Sequence, residues 1–340
     1  MRQDGAIWSR LFLPCFGTEQ NVRPVPLGRS EPSPLGRPAG ARSVRRSTRP
    51  FSAPVRDFVL ARYLRAPDHP GKARIVRTLA RTVIPPAGIV APIDEGVRLQ
   101  LHPRDWIEHL LLRGIPYEPL TLQFLRANLR CGDGAVLAGV NFGLHVSVAA
   151  RAVCATGVVV GVEPQPLALT RARRNLELNQ LQERVQLVAA ALGREARLSP
   201  MAWSDPENAG AASLLDGGNG FIVPVIRLGE VLPLLAGRCF RLLLLDVQGY
   251  EQEVLSGAEL SAGPELMIVE LDPGFLARAG SVASQIAERL EAAGYELFDL
   301  LGKSGPGDLL ALPESNLVAV RRGASVQWAV AKATVGRLSA

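Results

Sequence analysis

The sequence predicts an α/β fold, a mostly parallel sheet with helices on both faces. Three observations carry this. Runs rich in Val, Leu and Ile at 135–140, 158–162, 185–190, 241–247 and 265–271 alternate with segments whose apolar residues recur at helical spacing. The run at 241–247, Arg-Leu-Leu-Leu-Leu-Asp-Val, is apolar on consecutive positions, as a central strand buried on both faces requires. The chain has 340 residues, 47% of them hydrophobic, enough for one large domain with extensions and a substantial core.

The net charge of +6 is unevenly placed: residues 1–56 hold ten arginines against Asp4, Glu19 and Glu31, a net +7, which leaves the remainder at −1. A nearly neutral folded part with 5% aromatic residues lacks the footprint of a nucleic-acid binder. No apolar run reaches the roughly 20 residues of a membrane-spanning helix, so no membrane span is expected. Cys15, Cys131, Cys154 and Cys239 are too scattered for a zinc site and too few for a disulfide framework; reduced thiols in a cytoplasmic protein are the expectation. Residues 1–56, rich in Pro, Arg, Ser and Gly, predict a disordered basic extension, a composition that an organelle transit peptide shares.

From residue 57 the pattern turns amphipathic and predicts two short helices before 81. Residues 97–101 alternate like a strand, Asp105 stands where it caps a helix over 106–112, and Pro119 opens a helix reaching 129. This platform, 57–130, precedes a main domain at 131–323 and a tail at 324–340. Residues 134–164 form one βαβ unit, in which a strand enters a turn with Gly139, Asn141 and Gly143, passes into a helix and returns as a strand ending on Glu163. Helices at 167–178, 228–235, 250–257 and 282–293 then alternate with strands that include short ones at 196–201 and 221–226. The final strands, 295–301 and 316–321, are separated by only a Gly/Pro loop and are expected to pair antiparallel. A parallel sheet finished by an antiparallel strand is the architecture of class I methyltransferases, whereas a dinucleotide dehydrogenase continues with parallel units.

The first turn spaces its residues Gly139-x-Asn141-x-Gly143 and lacks the G-x-G-x-x-G that cradles a pyrophosphate. Glycines still allow close backbone approach, and Glu163, 24 residues after Gly139, is a carboxylate placed to accept ribose hydroxyls. An adenosine cofactor without pyrophosphate, S-adenosylmethionine, fits. At the carboxyl end of the central strand, Asp246 is the catalytic candidate, able to orient an acceptor hydroxyl or take its proton. Glu270 is a second crevice candidate, Glu251 reads as a first-turn helix charge, and His145 reads as structural. No residues show ligand spacing, and no metal site is expected.

Together these motifs resemble the FkbM-type methyltransferases, class I S-adenosylmethionine-dependent enzymes, over residues 106–321. The family's Tyr-Glu-Pro is matched by Tyr117-Glu118-Pro119, its glycine motif by Val136 to Gly143, and its Glu-Pro by Glu163-Pro164. Asn175, Leu176, Asn179 and the Ala191-Leu192-Gly193 turn also match, and the hallmark Lys-Ile-Asp-Val-Glu-Gly-Tyr-Glu aligns with Leu244 to Glu251. The resemblance implies a Rossmann-like, three-layer α/β/α fold around a mostly parallel seven-stranded sheet with a terminal antiparallel strand. It implies S-adenosylmethionine held by Gly139, Asn141, Gly143 and Glu163, with Glu118 and Ala191 as further contacts. It also implies methyl transfer to a hydroxyl of a small-molecule acceptor, a natural product or sugar, with Asp246 facing that acceptor. Three positions depart from the pattern: Leu137 replaces an acidic residue expected to help hold the methionine end, Leu244 a lysine and Gln248 a glutamate. Each is expected to remove a charge from the pocket. The departures motivate a second reading, a cofactor-binding or scaffolding domain without turnover; an NAD(P)-dependent dehydrogenase ranks third because the phosphate fingerprint is missing.

Overall fold

In the computed structural model the described residues are 88–94, 96–202, 214–216, 220–303 and 315–330, with scattered positions between 59 and 79. The expectations for 1–56 lie outside them, as does most of 203–219. In chain order the elements are β1 (Ile89–Asp94), β2 (Val97–Leu101), α1 (Trp106–Leu112), α2 (Pro119–Asn128), β3 (Gly134–Ala138), α3 (Leu144–Ala152), β4 (Val158–Val162), α4 (Pro166–Leu178) and β5 (Val185–Val188). There follow β6 (Ala191–Leu192), β7 (Arg197–Met201), β8 (Phe221–Ile226), α5 (Leu228–Val231), β9 (Phe240–Leu245), α6 (Glu251–Ser256), β10 (Leu266–Leu271), α7 (Pro273–Arg278), α8 (Ala283–Ala292), β11 (Tyr295–Phe298) and β12 (Ser315–Arg321).

Seven strands form the main sheet in the order β11-β12-β10-β9-β3-β4-β5. The strands from β10 to β5 pair parallel, and β12 runs antiparallel to both its neighbours. The expected final antiparallel strand is therefore present, but it inserts between β10 and β11 instead of closing the edge. The central strands are buried on both faces, as their unbroken apolar runs require. In β3, Ala135 and Leu137 enter the core on one face while Val136 and Ala138 enter the core on the other. In β9, Leu242 and Leu244 split from Leu243 and Leu245 in the same way.

Local chemistry sets the element ends. Asp105 caps α1 by accepting hydrogen bonds from the backbone N–H groups of Ile107 and Glu108. Pro119 and Pro273 occupy first-turn positions where no intrahelical N–H is needed. Three elements were not expected, one of them the two-residue β6, which stands where the Ala191-Leu192-Gly193 turn was expected. Strand β1 pairs antiparallel with β2 across a bulge near Pro92, the residue that obscures its alternation. Helix α7 is only six residues long, capped by Asp272 onto the Phe275 N–H, too short to show a period. Strands β7 and β8 exist as expected but leave the main sheet for a separate one, ordered β6-β8-β7.

The tail from 324 is packed as far as it is described. Trp328 lies against Phe124 and Phe298, and Asn128 exchanges two hydrogen bonds with the backbone of Gln327. No described helix is long and apolar enough to cross a membrane.

The cysteine expectation is corrected. Cys131, just before β3, and Cys154, just after α3, form a disulfide with their Cα atoms 4.8 Å apart. Separation along the chain hid their proximity: α3 returns the backbone to its start, where the Gly132 N–H donates to the Val153 carbonyl. Cys239 is free and exposed. Bonds of this type persist in oxidising surroundings, so the argument for a reducing compartment loses its basis. Closing a loop across a 23-residue separation restricts the unfolded chain by about 3 kcal/mol. Cys154→Ser is therefore expected to lower unfolding stability by about that amount in urea titrations without reductant, and to become equivalent to wild type once wild type is reduced.

Candidate functional site

The site lies at the carboxyl ends of β3, β4, β9 and β10, where parallel sheets open their crevices. Gly139 follows β3 with φ +88°, and a Cβ there would stand 1.8 Å from the Asp246 carbonyl oxygen. Only glycine lets the two strand ends lie this close; the Asp246 N–H also donates to the Ala138 carbonyl. Gly143, at φ +96°, begins α3 against Ala172 of α4, where a Cβ would meet the Ala172 Cα at 3.1 Å. Between the two glycines, Asn141 adopts a left-handed backbone, φ 50°.

Glu163 fastens this turn. Its Oε2 accepts from the Asn141 N–H at 2.9 Å and its Oε1 from the Gln165 N–H at 2.9 Å. Burial raises its pKa to about 7 against the opposing effect of those amides. Each carboxylate oxygen retains a lone pair for a ligand hydroxyl. Asn175, fully buried in α4, holds the turn from behind, donating to the Phe142 carbonyl at 2.8 Å and accepting from the Gln100 N–H of β2 at 2.7 Å.

A cleft opens above the turn, lined among others by Gly139, Asn141, Glu163, Ala191, Asp246 and Gln248. Of the expected cofactor contacts, Gly139, Asn141, Glu163 and Ala191 meet there with Asp246; Gly143 and Glu118 do not line it. The Asn141 Oδ1 is buried without a hydrogen-bond partner, a free acceptor beside the Glu163 carboxylate. An adenosine cofactor bearing hydroxyl and ammonium donors fits this set of groups.

Glu118 instead joins a second cluster. One oxygen each of Glu118, Asp246 and Glu270 lies within 4.8 Å of the other two. Burial opposes the Glu118 charge, but the His145 cation, with Nε2 3.4 Å away, and hydrogen bonds from Tyr117 and Thr121 outweigh it and bring the carboxyl down to about 2. His145, which read as structural, is correspondingly raised by Glu118 despite its burial. Gln248, at φ 53°, reaches back with Nε2 to Asp246 Oδ1 at 2.8 Å and Glu270 Oε2 at 3.0 Å. Glu251 is more than a helix charge: its Oε1 accepts from the Val247 and Gly249 N–H groups and so fixes the loop that carries Gln248. Tyr-Glu-Pro and a Glu near the end of a buried apolar strand were the visible traces of this cluster; Asn175, a weak helix former in mid-helix, was the trace of the turn's support.

The departures at 137 and 244 do not touch the cleft. Leu137 and Leu244 are 1% and 3% exposed, belong to one apolar core and sit in direct register on neighbouring parallel strands. The expectation that each removes a charge from the pocket is corrected for these two. Gln248, which does line the cleft, is the one departure inside the site.

The sheet order, with one antiparallel strand inserted beside the edge and a ligand turn after β3, defines a class I methyltransferase fold. Residues 138–297 match the family described as the methyltransferase FkbM domain. Among solved structures it is similar to a methyltransferase FkbM from Methylobacillus flagellatus KT, with 13% identity, coverage of 74% of this chain and 59% of that one, and a TM-score of 0.40. It is also similar to a SAM-dependent O-methyltransferase from Thermotoga maritima, with 15% identity, 62% and 68% coverage and a TM-score of 0.35. A precorrin-6y C5,15-methyltransferase from Geobacter metallireducens GS-15 aligns at 14% identity, 59% and 87% coverage and a TM-score of 0.35. No curated protein matches the chain.

The register pairing yields a test. Leu137→Asp places an unpaired charge in the core and is expected to cost about 3–5 kcal/mol of stability, while Leu137→Asp with Leu244→Lys recovers part of the loss. Chemical denaturation of the single and double variants measures the coupling; equal stabilities would refute the pairing.

Proposed function

We propose that the chain binds S-adenosylmethionine in the Gly139 cleft and transfers its methyl group to a hydroxyl of a small natural product or sugar. The observation that carries this reading is the shared wall: Asn141 and Glu163, suited to an adenosine and its amino-acid tail, face the same cleft as Asp246. The cofactor supplies an electrophilic methyl group. Glu163 would accept the ribose hydroxyls, Asn141 Oδ1 a donor of the ligand, and the main chain near Ala191 would flank the adenine side. Asp246 would hold the acceptor hydroxyl in line and take its proton. With Leu137 and Leu244 in the core, the reading as a domain without turnover loses the two departures that chiefly motivated it.

Calorimetry with S-adenosylmethionine and S-adenosylhomocysteine tests the cofactor assignment; no heat from either at millimolar concentration would refute it. The pH dependence tests the role of Glu163. Its pKa of about 7 in the free protein means that the ionised acceptor form is gained as pH rises through neutrality. Affinity should then be roughly tenfold weaker at pH 6 than at pH 8, and independent of pH in this window in Glu163→Gln. Asp246→Asn is expected to lower methyl transfer to a panel of sugars and phenols by about 10²–10⁴-fold while leaving cofactor affinity within about threefold.

A further inference from the structure

Three carboxyl groups meet behind the cleft from three elements: Glu118 ahead of α2, Asp246 after β9 and Glu270 within β10. Their charges are neutralised unevenly. Glu118 has the His145 cation at 3.4 Å together with hydrogen bonds from Tyr117 and Thr121. Asp246 and Glu270 share a neutral donor, the Gln248 Nε2, at 2.8 Å and 3.0 Å. That nitrogen offers one hydrogen to each carboxyl group and no charge. Two carboxylates this close, drawn out of water and without a cation between them, do not both stay ionised.

The surroundings decide which group keeps the proton. Asp246, Glu118 and Glu251 all act on Glu270 with the same sign, Tyr117 lies near it, and Glu270 does not line the cleft. Burial first, and then the Asp246 charge, push the Glu270 carboxyl well above the usual carboxylate range. Asp246 opens onto the cleft.

We propose, resting on the methyl-transfer reading above, that Glu270 is the protonated member of a carboxyl–carboxylate pair, a positioning residue that donates its hydrogen to Asp246. Together with Gln248 it holds Asp246 as the ionised group that receives the acceptor's proton. The step balances. The acceptor oxygen gives a lone pair to the incoming methyl carbon, whose former bonding pair stays on the sulfur it leaves, and the O–H proton passes to Asp246. The pair then carries two protons and no net charge until one returns to water. The acceptor class narrows accordingly: a neutral or cationic molecule with a transferable O–H fits, whereas carboxylate or phosphate groups beside the reacting hydroxyl meet the Asp246 charge.

Infrared difference spectroscopy on the full chain tests the assignment. At pH 9, Glu108, Glu163 and Glu251, each raised to about 7, are ionised, so a remaining protonated-carboxyl stretch belongs to a group held higher. Wild type is expected to show that band at pH 9, Glu270→Gln to lose it and Glu270→Asp to restore it at a shifted position. The Asp246 carboxylate stretch is expected to move in both Glu270→Gln and Gln248→Ala. Matching melting curves for wild type and Glu270→Gln keep misfolding from imitating the loss. Absence of the band in wild type, or its survival in Glu270→Gln, overturns the proposal. Binding of Mg²⁺ alone with loss of the band also overturns it, because a cation would then take the proton's place. A chain that shows the band but binds neither S-adenosylmethionine nor S-adenosylhomocysteine supports the carboxyl pair and refutes the methyl-transfer reading.

Discussion

The contact between the ends of β3 and β9 is the constraint on which the site depends. Gly139 lies against the Asp246 carbonyl so closely that any side chain would collide, and the Asp246 N–H completes the ladder to Ala138. The cofactor turn and the acidic loop are thereby two sides of one joint. Every other support acts on one side of it. Glu163 and Asn175 fix the turn through backbone groups of Asn141, Gln165 and Phe142, while Glu251 fixes the loop through those of Val247 and Gly249. Because these bonds are made to main chain, the side chains of Asn141, Asp246 and Gln248 face the cleft or each other.

The same joint explains why two family residues can change without altering the site. Strand side chains alternate between faces, so Ala138 and Leu245, next to the joint, belong to one core while Leu137 and Leu244 belong to the other. An acidic residue at 137 and a lysine at 244 would face each other across adjacent strands, an ion pair that is costly to bury. The leucine pair replaces both charges together and packs without a desolvation penalty. Replacing one alone would strand its partner's charge in the core, which is the physical reason the two departures belong together.

Much of this was legible in the sequence. Consecutive apolar residues in 241–247 and the glycine turn followed by Glu163 are dictated by burial and by close backbone approach, and both leave local marks. Asp105 and Pro119 announced their helices by capping chemistry. What was not legible depends on distance in space. The Cys131–Cys154 bond follows from α3 returning to its start, and β1 is defined by its pairing with β2 more than by its own alternation. Side-chain facing misled the reading of Leu137 and Leu244, since a motif position carries no information about which sheet face it serves until the strand's register is fixed. The meeting of Glu118 with Asp246 joins residues more than a hundred positions apart, and no spacing rule reaches that far.

Gln248 then acquires a meaning that substitution alone did not suggest. A glutamate at this position would set a fourth carboxyl group among Glu118, Asp246 and Glu270, where His145 already serves Glu118. The amide keeps the reach of that side chain but contributes hydrogens in place of another negative charge, and its left-handed backbone, locked beside Gly249 by Glu251, aims it at both remaining carboxyls. The departure that looked like a loss of charge from the pocket therefore lowers the electrostatic cost of assembling the acids there. It leaves Asp246 oriented at the mouth of the cleft, next to the turn that the glycine joint holds in place.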